Sequence, residues 1–176
     1  MKKLAILAAL TFAAGAQAAD IALLTPIEYD PAASVVQKVK EECKIEEQLT
    51  SDVSEAFKKY RIGPAVATAD GAGEVMKVRI THVLGVGGGA WSGPKAITVH
   101  ADVLKDGKVE RTTRINRWTT GGFFGGFKGT CSILNRSSAA IAKDLVKWAK
   151  DPSYAVADDK PKDAPAEDAA ASHAGT

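Results

Sequence analysis

Arg79, His100, Asp102 and Arg114 are the side chains whose types could carry acid–base chemistry. A histidine beside a carboxylate can hold or move a proton, and a guanidinium can steady the charge that results. Alternation along three strand-like runs puts these four on one face, with Lys77, Thr98, Glu110 and Thr112. The same set serves as ordinary cross-strand charge pairing on a solvated sheet face. No Ser-His-Asp arrangement, G-x-S-x-G or H-E-x-x-H motif accompanies it. The catalytic alternative is therefore a small hydrolase or transferase centred on His100.

The cysteines are Cys43 and Cys131. In an exported chain such a pair is expected to form a disulfide, the alternative being two buried thiols. There is no C-x-x-C for redox chemistry. His82 and His100 lack the spacing that would make a zinc site with the cysteines, so no metal and no cofactor is expected. His82 shares the apolar alternation of its run and reads as a core-edge histidine.

Two glycine-rich segments frame this region. "LGVGGGAWSGP" (84–94) contains a G-x-G, yet Trp91, a turn and a strand follow where a dinucleotide fingerprint needs a helix. "TTGGFFGGFKGTC" (119–131) does precede a helix, but Lys128 is followed by glycine rather than by Ser or Thr. Backbone amides there could still hold an anion. Phe123, Phe124 and Phe127 allow two readings: folded inward they cap the domain, and turned outward, with Trp91, they form an apolar patch for an envelope protein or a membrane surface.

The elements that must position these residues are legible in outline. "DIALLTPIEY" reads as an edge strand or extended arm. Asp30-Pro31 reads as a helix start, an acceptor cap before a preset φ. The helical pattern then runs to Tyr60, with a break allowed at 40–44 and a stripe of Ile45, Leu49, Val53, Phe57 and Tyr60. "RIGPAVATADGAG" is a loop. Three strands follow: "VMKVRITHVL", with Met76, Val78, Ile80, His82 and Leu84 inward; "KAITVHADVL", with Ile97, Val99, Ala101 and Val103 inward; and the weaker "KVERTTRINRW". A three-residue loop, Lys105-Asp106-Gly107, would align Val103 with Val109 and Ile97 with Ile115. The last run is an amphipathic helix with Leu134, Ile141, Leu145 and Trp148 on one side, ended by Asp151-Pro152. The expected fold is α+β: a two-layer sandwich of a small antiparallel sheet in the order strand-helix-strand-strand-strand-helix, with two helices on one face.

The chain ends are different in kind. Lys2 and Lys3, the apolar stretch Leu4 to Ala14 and Ala16-Gln17-Ala18 read as a cleaved secretory signal, residues 1–18, with no cysteine at the junction for a lipid anchor. The apolar stretch is too short to span a bilayer, and no later run reaches that length. Periplasmic or secreted location is expected. Of 23 basic and 21 acidic side chains, removal of the two leader lysines leaves 21 of each. That neutrality, together with export, argues against nucleic acid as a partner. Residues 19–150 suffice for a single domain. The tail 151–176, rich in Ala, Asp, Pro and Lys, reads as disordered.

The run from Val75 to Pro152 strings together a strand, a glycine-rich connector, strand–turn–strand, a second glycine-rich segment and a closing helix. In this order it resembles a domain family of Gram-negative lipoproteins and periplasmic proteins. That family has no established activity and no assigned catalytic residues, so the resemblance implies envelope location and fold, and carries no site. This chain departs from the lipoprotein members in lacking the lipidated cysteine. The function expected is a non-enzymatic binding or scaffolding domain of the cell envelope. A periplasmic carrier of a small ligand is a further alternative.

Overall fold

The computed structural model describes residues 20–71, 73–85, 94–119 and 129–156. The leader, Trp91, Phe123, Phe124, Phe127 and the tail beyond Val156 lie outside the described residues. In chain order the elements are β1 (Ile21–Leu24), β2 (Glu28–Val35), α1 (Gln37–Cys43), α2 (Ile45–Tyr60), β3 (Ala65–Val66), β4 (Glu74–Leu84), β5 (Lys95–Lys105), β6 (Lys108–Thr119) and α3 (Thr130–Lys150). The chain is α+β, with a mixed open sheet of six strands and, among the described residues, three helices.

The helices form where apolar residues recur near every fourth position. Ile45, Leu49, Val53 and Phe57 of α2 are fully buried, and so are Leu134, Ile141 and Leu145 of α3. They pack on Leu23, Met76, Val78, Ile80, Ile97, Val99 and Val103 of the sheet, which gives one core between two layers. Tyr60 departs from the expected stripe and is 42% exposed. Lys44 adopts left-handed backbone between α1 and α2, the break expected near 40–44.

The sheet runs β3-β1-β4-β5-β6, with β2 also paired to β4. β1 pairs in parallel with the first part of β4, Ile21 opposite Glu74 and Leu23 opposite Met76. β2 continues along the same edge, Glu28 opposite Arg79 and Val35 opposite Val83. Two short strands thus share one side of a long one. The pairing corrects three expectations. The sheet is mixed rather than wholly antiparallel, β1 lies inside it, and "RIGPAVATADGAG" contributes β3. Gly63 makes that last pairing possible: a Cβ there would fall inside the Ile21 carbonyl, while the amides of Ile21 and Leu23 donate to Ile62 and Pro64 at 3.0 and 2.8 Å.

Asp30-Pro31 does not start a helix. It lies within β2, and α1 begins at Gln37. Pro31 sits where the β2–β4 register shifts, a place that needs no ladder N–H. The Asp30 carboxylate spends one oxygen on the amide of Ala32 at 3.0 Å and the other on Arg79.

Two bulges correct the expected strand faces. In β4 the register shifts at Thr81, so that His82 pairs with Thr98 and Val83 with Ile97. Val83 is buried in the core, and His82 and Leu84 turn to the face away from the helices, here called the outer face. The β5–β6 turn is a two-residue Asp106-Gly107 turn closed by Lys105 opposite Lys108. Both turn residues have positive φ, 50° and 75°, as a type I′ turn requires. The register then shifts between Val103 and Leu104. Val103 meets Arg111 and Ile97 meets Arg117, in place of the expected Val109 and Ile115. The turn and the bulge together set β6 two residues away from the register a longer loop would give, and leave Val109 exposed opposite Leu104.

The Tyr29 ring faces the helix layer. Its amide donates to Glu46 Oε1 at 3.2 Å, and Lys40 Nζ lies 4.6 Å from its centroid. Burial, and second the Glu46 charge, push its phenol up to about 12. The folded chain therefore keeps this proton through a window in which the unfolded chain loses it, from about pH 10 upward. Stability should fall by on the order of 2 kcal/mol between pH 10 and 12. Tyr29→Phe should flatten that part of the stability profile, measured by urea unfolding across pH. A slope unchanged by the substitution would show that the phenol is not its source.

Candidate functional site

The outer face is built from rows of side chains across β4, β5 and β6. At one end lie Val75, Leu104 and Val109, and at the other Leu84, Ala96 and Trp118. Between them are three polar rows: Lys77-Asp102-Thr112, Arg79-His100-Arg114 and His82-Thr98-Asn116. Alternation along each strand places the first two rows, and the Thr81 bulge places His82 in the third.

The centre of the face is a closed network. Arg79 donates to Asp30 Oδ2 at 3.0 Å and to Asp102 Oδ2 at 2.8 Å. Its second terminal nitrogen also lies 3.2 Å from His100 Nδ1. A guanidinium can only donate, so Nδ1 is the acceptor and the imidazole carries its proton on Nε2. Nε2 then donates to Thr112 Oγ1 at 2.7 Å, and the threonine hydroxyl donates onward to Asp102 Oδ1 at 2.8 Å. The chain of donors is consistent at every step. Thr98 adds a bond to Asn116 Oδ1 at 3.2 Å.

The structure brings Arg79, His100 and Asp102 together as the sequence suggests. Arg114 is opposite His100 in register but exposed, and among the described residues no hydrogen bond or ion pair reaches it. Asp30 and Thr112 complete the network and were not singled out. Thr112 was legible from its alternation, whereas Asp30 arrives only through the parallel β2–β4 pairing.

This geometry holds the face rigid more readily than it moves protons. Both His100 nitrogens are committed, the outward one as a donor, so it presents no lone pair to a substrate. Asp102 is nearly enclosed and both its oxygens accept. Among the described residues no group of three His, Cys, Asp or Glu side chains is placed to hold a metal ion.

A second polar layer lies on the helix side of β6. Arg117 donates to Asp144 of α3, and Tyr154 OH donates to the same carboxylate at 2.9 Å. Arg111 donates to the Trp148 carbonyl at 2.8 Å and lies 4.5 Å from the Trp148 ring centroid, capping the end of α3. Ser138 donates to Asp52 at 2.6 Å and so ties α3 to α2. Cys43 and Cys131 are joined, with Cα atoms 4.9 Å apart, and link the end of α1 to the start of α3. A disulfide suits an oxidising compartment.

The chain is similar, at low identity, to several solved structures. A PelC dodecamer from Paraburkholderia phytofirmans is 14% identical with a TM-score of 0.46, over 70% of this chain and 85% of that one. A Xanthomonas campestris protein of the DUF330 family is 15% identical with a TM-score of 0.44, over 73% of this chain and 82% of that one. No family model matches the chain, and no curated protein does. No residue role passes from those proteins to this chain. Among the described residues no helix is long and apolar enough to cross a membrane.

Proposed function

We propose that this chain is an exported domain of the bacterial cell envelope that binds or scaffolds a partner and carries out no catalysis. The observation that supports the reading best is the Asp30-Arg79-Asp102-His100-Thr112 network, in which each candidate acid–base group is held by another on a sheet face the helices leave uncovered. The leader-like start and the Cys43–Cys131 bridge favour export. Phe123, Phe124, Phe127 and Trp91 are the proposed contacts with the partner, on the grounds of their apolar character among glycines.

Affinity capture from envelope extracts tests this. The unmodified chain and His100→Ala should recover the same partner, and the combined Phe123→Ala, Phe124→Ala and Phe127→Ala variant should lose it. Equal recovery by the triple variant removes the assigned contacts. A cellular phenotype abolished by His100→Ala while capture stays intact overturns the non-enzymatic reading.

A further inference from the structure

β6 is the last strand of the sheet, twelve residues long, and pairs only with β5 among the described residues. Such an edge presents a row of backbone donors and acceptors that another strand can complete. Natural edges are commonly blunted by proline, by bulges, by brevity or by charged side chains, and of these β6 carries the last in its arginines. Here the bulge is confined to the hairpin end, and from Arg111 to Thr119 the register is unbroken, with no proline or glycine.

The charges along that stretch decide what fits. Arg111, Arg114 and Arg117 are all basic, and no acid lies between Arg111 and Thr119. Arg117 is engaged with Asp144, and Arg111 with the end of α3. Arg114 projects from the outer face between Thr112 and Asn116, with no partner among the described residues. A second copy paired edge to edge would bring the arginines of both strands along one seam, and like charges across a pair are unfavourable. An acidic strand meets the opposite situation, with backbone bonds for affinity and alternate side chains for selection.

We infer that the β6 edge takes up an extended acidic segment of a partner protein by strand addition, and that Arg114 is the residue that reads its charge. The inference rests on the reading of the chain as a binding domain, but uses residues other than those of the phenylalanine segment. The probe is a capped peptide of about nine residues, the length of the regular stretch, alternating glutamate with valine. A lysine–valine peptide and a glutamate–valine peptide with alternate backbone amides methylated are the controls.

The glutamate peptide should slow hydrogen exchange of β6 amides and bind at least about tenfold tighter than the lysine peptide. The methylated peptide should not bind. Arg114→Glu, at an exposed position, should reverse the preference while leaving the circular dichroism spectrum unchanged. Equal affinity for the two charges, unchanged β6 exchange, or a preference that survives Arg114→Glu overturns the proposal. So does β6 protection that grows with protein concentration in the absence of peptide, which would mean self-pairing. Failure of the titration while envelope capture remains intact removes the edge alone and spares the binding reading.

Discussion

Replacing Cys43 and Cys131 together by alanine should lower the free energy of unfolding by about 4 kcal/mol. The bridge closes a loop of sequence separation 88, and the chain-entropy relation gives about 4.6 kcal/mol for a loop that long. Two features of the fold make the effect local as well as global. Helix α1 has only seven residues and no side-chain cap at its start, too little to persist alone. Its last residue is Cys43, so the bridge fastens it to α3, with Val39 as its other buried anchor. Helix α2 has its own buried stripe and needs no such help. Amide exchange in the double variant should therefore rise more in α1 than in α2. Denaturant unfolding of the two proteins measures the global term, and coincident curves would show that the bridge does not stabilise the chain.

Asp144→Ala should cost about 3 to 5 kcal/mol, the range for breaking a buried ion pair from one side. The Asp144 side chain is 3% exposed and its partner Arg117 is 19% exposed, so solvent replaces little of what is lost. The substitution takes the carboxylate away from a guanidinium held under α3, and leaves the Tyr154 hydroxyl without its acceptor as well. The cost lies mainly in what the Arg117 guanidinium and the Tyr154 hydroxyl lose with this acceptor, rather than in the net worth of the pair. Asp144→Leu combined with Arg117→Met should accordingly recover much of the loss. Thermal or urea unfolding of the single and paired variants closes the cycle. A single variant within about 1 kcal/mol of the parent would mean that the pair behaves like an exposed one.

The helix stripes of α2 and α3 and the alternation of β5 could be read because each is a local rhythm of apolar residues that the core preserves. The same alternation placed Arg79, His100 and Asp102 on one face. What escaped was set by pairing at a distance. Asp30-Pro31 has the chemistry of a helix start, but the free edge of β4 took it as strand. Arg111 and Arg117 look misplaced on an inward face until α3 supplies a carbonyl and a carboxylate for them. The β5–β6 register needed a bulge that no residue pattern announces.

The single extra residue at Thr81 works as a half-step in the count of β4. Before it, even-numbered side chains face the helices, and after it odd-numbered ones do. The strand therefore carries two reading frames, and the row His82-Thr98-Asn116 exists only in the second. Loss of that one residue would leave a regular strand with His82 still outward and Val83 still inward, whereas a regular strand that kept Thr81 in the ladder would bring His82 inward and send Val83 out. Gain of two would leave the faces as they are. Which letters face the core beyond this point thus depends on whether Thr81 stands outside the ladder, and not on the length of the strand.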